Sequence, residues 1–157
     1  MTPTELIWAD GELIPWREAT VHVMAHGLHY GSSVFEGIRA YPTERGPTAF
    51  RLHDHLKRFE RSARLYRMAL PFDRATLEQA CRDVVLANGL KSAYIRPIAY
   101  RGLGDFSLSS GTSPIQIAIA AIEWNAYLGE DALAEGIDTC ISSWRRVGPN
   151  TMPTSAK

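Results

Sequence analysis

The strongest pattern in the chain is helical. Between about residues 53 and 69, apolar side chains recur at alternating spacings of four and three, which places them on one stripe of a helix. A second helix is predicted to begin near Asp73 and Thr76, both good N-caps, and Gln79 is spaced for a capping box on Thr76. Asn88-Gly89 predicts its end. The apolar positions are Leu52, Leu56, Phe59, Ala63, Tyr66 and Leu70 in the first helix and Leu77, Cys81, Val84 and Val85 in the second.

Short paired strands are predicted before these helices. Apolar residues flank Asp10-Gly11, a dipeptide that accepts the positive φ angles of a tight hairpin turn. Residues 22–30 favour a short helical turn. The runs 33–41 and 49–52, joined by a turn that contains Pro and Gly, predict a further antiparallel pair.

The rest of the chain predicts two long strands and then a boundary. The runs 93–100 and 114–124 are rich in β-branched and aromatic residues, and the second alternates Ile with smaller or polar residues. The pattern lapses after residue 124 and resumes as a strand-like run at 137–144. We therefore predict an α+β fold with an N-terminal domain at 1–124, an interdomain loop at 125–136, and the first strand of another domain within 137–157.

Composition narrows the class of protein. The chain has 157 residues, 45% of them hydrophobic, with 17 Lys plus Arg balanced by 17 Asp plus Glu. Zero net charge provides no overall attraction to nucleic acid or to an anionic membrane. Cys81 and Cys140 match neither a disulfide framework nor a zinc site. With neither a secretory leader nor an apolar run of roughly 18 residues, we expect a cytoplasmic protein that does not insert into membranes.

Arg58 is the first candidate for chemistry. On the predicted helix it shares a row with Ser62 and Leu65 rather than with the charged residues around Lys57, so it is expected to be half-buried. A half-buried guanidinium needs an anionic partner. Either a carboxylate or a phosphate would serve.

Two other groups of residues allow more than one interpretation. Tyr94 and Arg96 lie two apart on a strand and so share a face; they are either an ordinary strand-edge pair or a surface that receives a carboxylate. The histidines at 22, 26 and 29 have partly helical spacing, but no acidic residue follows before Glu36, so no metal site is predicted. Lys157, taken alone, is a solvated terminal lysine.

Together these residues occur in phrases that resemble the branched-chain amino acid aminotransferases, which are fold-type IV enzymes dependent on pyridoxal 5'-phosphate (PLP). The resemblance covers essentially the whole chain, and six phrases in the same order are more specific than any one motif. They are His29–Arg39, His55–Phe59, Ala93–Pro97, Trp124–Gly129, Ser142–Trp144 and Pro149–Lys157.

The resemblance implies a PLP site. Lys157 would bind PLP covalently and, once released by the substrate amine, move a proton between the substrate Cα and the cofactor C4′. Arg58 would bind the PLP phosphate. The family has a sandwich-like N-terminal domain followed by a larger PLP-binding domain, and we expect the complete protein to continue beyond Lys157.

The resemblance also implies a substrate site and a homo-oligomer. Tyr94, Arg96 and Tyr127 would surround the substrate carboxylate, whereas Phe35 and Gly37 would line an apolar pocket. Tyr30 would reach into the site of a neighbouring subunit, so the protein is expected to be at least a dimer. The substrates would be amino acids and 2-oxo acids.

The implied activity is amino-group exchange between leucine, isoleucine or valine and 2-oxoglutarate, within branched-chain amino acid biosynthesis. The stretch from Arg101 to Leu108 follows the family loop only loosely, so Asp105 and Phe106 bear on substrate preference. A fold-type IV transaminase acting on D-amino acids or amines is the alternative among enzymes. A non-catalytic binding module is the alternative if the protein ends at Lys157.

Overall fold

A computed structural model describes residues 3–108, 110–124, 135–148 and 150–157. Seven strands and three α-helices occur in these ranges, together with short 3-10 turns at Trp16–Glu18 and Ser110–Thr112. In chain order the elements are β1 (Leu6–Ala9), β2 (Glu12–Pro15), α1 (His26–Tyr30), β3 (Ser33–Phe35), β4 (Ile38–Thr43), β5 (Gly46–Ala49), α2 (Leu52–Leu65), α3 (Arg74–Ala87), β6 (Ala93–Arg101) and β7 (Ile115–Glu123).

The strands of the described residues form one antiparallel sheet in the order β2-β1-β7-β6-β4-β5, and β3 also pairs with β6. The predicted hairpin at Asp10-Gly11 is confirmed, with φ angles of 45° and 110° at the two turn residues. The long β6 and β7 strands pair along their whole length, from Ala93–Glu123 to Arg101–Ile115. They form the centre of the sheet.

One face of the sheet packs against helices α2 and α3. Alternate residues of β6 are buried and join the apolar stripes of the helices, as strand and helix periodicities require. Asp73 accepts a hydrogen bond from the Thr76 amide at 2.8 Å, so Asp73 is the N-cap of α3. Gln79 instead donates to Asp83, and the predicted capping box is wrong because Asp73 already satisfies the Thr76 amide.

Helix α2 ends four residues earlier than its apolar stripe predicts. Arg67 adopts a left-handed φ of 53°, and the Met68 amide donates to the Ala63 carbonyl in the manner of a Schellman cap. The buried Arg101 side chain donates to the carbonyls of Tyr66 and Arg67 at 3.3 and 3.1 Å. A contact from β6 therefore satisfies carbonyls that the end of the helix leaves without helical partners.

Strands β3 and β4 act as one interrupted strand beside β6. Phe35 pairs with Ile98 and Ile38 pairs with Ile95, so the register continues unbroken through Glu36 and Gly37. Side chains alternate along this interrupted strand, so Glu36 points toward α2. Phe35 and Gly37 lie with Tyr94 and Arg96 on the opposite face of the sheet, here called the open face.

The final segment lies against the outer edge of β3. The Phe35 amide donates to the Lys157 carbonyl at 2.9 Å, and the Lys157 amide donates to the buried Ser62 hydroxyl at 3.1 Å. Residues 137–144 form no strand here, although their pattern predicts one, and the Ile141 and Trp144 side chains are almost fully exposed. A strand forms only beside a hydrogen-bonding neighbour, which these residues do not have among those described.

The proposed domain limits stay a prediction, because residues 125–134 of the interdomain loop lie outside the described residues. Among the helices that the structure describes, none combines the length and apolar character needed to cross a bilayer. The described residues also contain no group of three or more His, Cys, Asp or Glu side chains placed to hold a metal ion.

Candidate active site

Several basic side chains contact one buried carboxylate. Glu36 is fully buried on the helix-facing side of the sheet. Arg58 binds it through a two-pronged contact, with Nε donating to Oε1 and Nη2 donating to Oε2 at 2.7 Å. His55 Nδ1 lies 3.0 Å from the same Oε2. Sequence reasoning left Arg58 either a carboxylate or a phosphate as its partner, and the structure supplies the carboxylate.

Arg58 retains donors that point away from this pair. Its side chain is 48% exposed even though its partner carboxylate is fully buried. Among the described residues, no acceptor lies within hydrogen-bonding distance of Nη1. Arg58 can therefore bind a second anion without releasing Glu36.

The Lys157 amine lies where the two faces of the sheet meet. Its Nζ is 3.9 Å from Glu36 Oε2 and 5.6 Å from the centre of the Phe35 ring. Glu36 and Phe35 are adjacent residues of one strand and project to opposite faces, so the amine reaches both around the outer edge of β3. Its side chain is 40% exposed, which leaves the amine open to a ligand.

The open face holds the candidate substrate residues together. Arg96 Nη2 donates to the Tyr94 hydroxyl at 2.7 Å, and the guanidinium lies over the Phe35 ring at 4.4 Å from its centre. The Tyr94 ring also stacks on Trp124 at 4.8 Å. A β-carbon built at Gly37 would lie 2.2 Å from the Tyr94 hydroxyl, so a glycine is needed for this close approach.

The structure does not bring Tyr30 to this group of residues. Its ring lies 5.5 Å from that of Phe106, and its hydroxyl donates to the Phe106 carbonyl at 3.3 Å. The Tyr30 side chain is 43% exposed, which leaves it available to a neighbouring molecule. Tyr127, the remaining candidate substrate residue, lies outside the described residues.

The charge on Glu36 is set by competing effects. Burial alone would raise the pKa of this carboxyl. Hydrogen bonds from Arg58 and His55, with the nearby positive charges of Arg58 and Lys157, outweigh burial and hold its pKa below the ordinary value. The same hydrogen bond raises the pKa of Arg58. Glu36 is therefore an ionised acceptor at neutral pH.

Sequence reasoning did not identify Glu36, His55 or Ser62 as part of the site. Glu36 occupies a position that strand alternation assigns to the core, where a carboxylate must have cationic or hydrogen-bonding partners. That is the signal that would have found it. His55 lies one helical turn before Arg58, on the same side of α2, and so meets the same carboxylate.

Comparison with known proteins assigns the family. Residues 33–157, which include Glu36, Arg58, Tyr94 and Lys157, match the family described as amino-transferase class IV. The chain belongs to the class IV aminotransferases. The Lys157 amine beside Glu36 and the open face therefore belong to a class IV aminotransferase chain.

Individual class IV relatives are similar over nearly the whole chain. The branched-chain-amino-acid aminotransferase of Escherichia coli (strain K12) is 48% identical over 158 residues, and that of Salmonella typhimurium is 47% identical over 156 residues. Each match covers 98% of this chain and 50% of the relative. The chain thus spans about half the length of the curated relatives it matches.

Solved structures agree with the sequence matches. The crystal structure of the E. coli branched-chain amino acid aminotransferase superposes with a TM-score of 0.94 at 47% identity, covering 99% of this chain and 51% of that one. The T.th. branched-chain amino acid aminotransferase complexed with N-(5'-phosphopyridoxyl)-L-glutamate gives a TM-score of 0.87 at 44% identity, covering 100% of this chain and 51% of that one. The predicted α+β, fold-type IV class is confirmed, as is the resemblance to branched-chain aminotransferases.

Proposed function

We propose that the whole protein is a PLP-dependent aminotransferase that exchanges an amino group between leucine, isoleucine or valine and 2-oxoglutarate. The observation that carries the proposal is the position of the Lys157 amine, between Glu36 with its bound Arg58 on one face and the Phe35–Arg96 pair on the other. The names of the E. coli and Salmonella relatives, at 48% and 47% identity, support the substrate class.

The residues present fit PLP. Lys157 offers a partly exposed amine for covalent attachment, and the outward donors of Arg58 offer an anchor for a phosphate. Two solved complexes of the T.th. enzyme, one with pyridoxamine 5'-phosphate and one with N-(5'-phosphopyridoxyl)-L-glutamate, support the same cofactor. When bound, PLP supplies an electron-withdrawing ring that delocalises negative charge at the substrate Cα.

Lys157 is the proposed acid–base group as well as the point of attachment. Its backbone is held at the sheet edge, because its carbonyl accepts from the Phe35 amide and its amide donates to the Ser62 hydroxyl. A fixed backbone limits the positions that the amine can reach once it is released from the cofactor. It would then move a proton between the substrate Cα and the cofactor C4′.

The open face is the proposed substrate site. The Tyr94 hydroxyl and the Arg96 guanidinium bind a carboxylate, and Phe35 and Gly37 form the apolar wall. Because Arg96 is exposed, leaving it unpaired when an aliphatic side chain binds costs little. One site therefore accepts both leucine and glutamate. Tyr127 is proposed to join it on the strength of the family resemblance.

The proposed enzyme is a cytoplasmic homo-oligomer. The exposed side chain of Tyr30 contacts Phe106 of the Arg101–Leu108 loop, and this aromatic pair supports the expectation that both contribute to a neighbouring subunit's site. Cys81 and Cys140 are both free thiols, which agrees with a reducing compartment.

A donor panel tests the proposal. The whole protein, reconstituted with PLP, is given 2-oxoglutarate with L-leucine, L-isoleucine, L-valine, D-alanine or a primary amine, and glutamate formation is measured. We expect turnover with the three branched-chain donors and its loss in Lys157→Ala but not in Lys91→Ala. Turnover of D-alanine without L-leucine would assign the D-amino acid alternative, and no turnover or PLP binding at all would support a non-catalytic module.

A further inference from the structure

Glu36 is the one buried acidic side chain among the described residues, and the proposed reaction does not use it. Its oxygens accept hydrogen bonds from Arg58 and, at 3.3 Å, from the Gly37 amide, and they lie near His55 Nδ1 and, at longer range, the Lys157 amine. A fully buried carboxylate is costly unless every partner is in place.

The contact between Arg58 and Glu36 determines which donors of the guanidinium remain free. Nε and Nη2 together bind the two oxygens of Glu36, so this edge of the planar guanidinium is occupied. Such a two-pronged contact fixes the plane as well as the position of the guanidinium. The opposite edge, which carries Nη1, then points in one direction at the half-exposed end of the side chain.

We propose that Glu36 is a positioning residue that orients Arg58 to receive the phosphate of PLP. The inference rests on the proposed function, because it requires that Arg58 bind this phosphate. It assigns Glu36 no contact with cofactor or substrate. Without the carboxylate, the arginine keeps its charge but loses the fixed orientation that makes it a selective phosphate donor.

The same chain offers a matched control. Arg74 binds Glu60 with the same geometry, Nε donating to Oε1 at 3.1 Å and Nη2 donating to Oε2 at 2.6 Å. This pair joins α2 to the start of α3 and has no contact with Lys157 among the described residues. Glu60→Gln therefore removes an ion pair of the same contact geometry without touching the proposed site.

The test compares PLP with pyridoxal, which lacks the phosphate. Dissociation constants of both are measured by titrating the cofactor-free whole protein, and the ratio of the two affinities isolates the contribution of the phosphate. A change at Lys157 or a general loss of stability lowers both affinities and leaves the ratio unchanged. The variants are Glu36→Gln, Arg58→Met, the double variant and Glu60→Gln.

We expect Glu36→Gln to lower the PLP-to-pyridoxal ratio by roughly tenfold, the order expected for charge-assisted hydrogen bonds. Arg58→Met should lower it further, and adding Glu36→Gln to Arg58→Met should cause no additional loss. Glu60→Gln should retain the ratio of the unmodified protein. If Glu36→Gln does not fold, Glu36→Asp, which withdraws the carboxylate by one methylene, should lower the ratio in the same direction.

Two different failures are distinguishable. If the unmodified protein shows no preference for PLP over pyridoxal, or keeps it in Arg58→Met, the phosphate assignment in the proposed function is wrong. If Arg58→Met loses the preference but the Glu36 variants keep it, or lose it additively with Arg58→Met, only the positioning role is overturned.

Discussion

Gly37→Ala tests whether the open face of the sheet holds Tyr94 in one position. A β-carbon at Gly37 would lie 2.2 Å from the Tyr94 hydroxyl and 2.9 Å from its Cζ atom, well inside van der Waals contact. The tyrosine is restrained by its stacking on Trp124 and by the hydrogen bond from Arg96. The substitution must therefore displace the phenol and break its contact with Arg96.

The size of the effect follows from that hydrogen bond. Hydrogen bonds to charged groups contribute about 1.5–3 kcal/mol, and the exposure of Arg96 places this one at the low end. About 1.5 kcal/mol corresponds to roughly a tenfold change in affinity. We therefore expect a roughly tenfold higher KM for both leucine and glutamate, with a smaller change in kcat.

Steady-state kinetics of the PLP-reconstituted protein provide the assay. Gly111→Ala is the control, because a β-carbon there meets no heavy atom within 4 Å. If Gly37→Ala leaves both KM values as unchanged as the control does, Tyr94 is not held against Gly37. The proposed substrate site on the open face would then be refuted.

Three further predictions follow from the charges and burial. Arg96→Ala should raise KM for glutamate more than for leucine, because only glutamate places a side-chain carboxylate there; equal increases would contradict this arrangement. A thiol reagent at pH 8 should label the exposed Cys140 and spare Cys81, since burial raises the pKa of Cys81 to about 12. Mass mapping locates the label, and labelling of Cys81 in preference to Cys140 would contradict this prediction. Because the pKa of Glu36 is lowered on folding, its contribution to stability is present above the ordinary glutamate pKa of about 4 and is lost as pH falls through the lower folded value. Urea unfolding should therefore show that acid lowers the free energy of unfolding less in Glu36→Gln than in the unmodified protein. Parallel pH profiles of the two proteins would refute the charge assignment.

Local sequence signals predicted the elements of the fold well. Asp10-Gly11, Asp73 and Asn88-Gly89 act through neighbours a few residues away, so their turn and caps are readable in one dimension. The early end of α2 was not readable, since the carbonyls there are bound by Arg101, which lies more than thirty residues further along the chain. Residues 137–144 show the converse, because their strand pattern finds no hydrogen-bonding neighbour among the residues that the structure describes and forms no strand there.

The candidate site likewise combines features that the sequence predicts with features that only the folded structure reveals. Strand alternation places Tyr94 and Arg96 on one face, but only the register of β3 and β4 on β6 brings Phe35 and Gly37 beside them. The role of Glu36 required knowing that α2 crosses its side of the sheet. Lys157 was indistinguishable from a solvated terminus until the family resemblance was considered.

Locating the covalently bound cofactor tests the proposed function most directly. The whole protein is saturated with PLP, reduced with borohydride to make any lysine linkage permanent, digested and analysed by mass spectrometry. Lys57, Lys91 and Lys157 are the three lysines of this chain, so the first two serve as internal controls. We predict a phosphopyridoxyl group on Lys157 alone among them; an unmodified Lys157, or a label on Lys57 or Lys91 instead, would show that Lys157 is not the point of attachment.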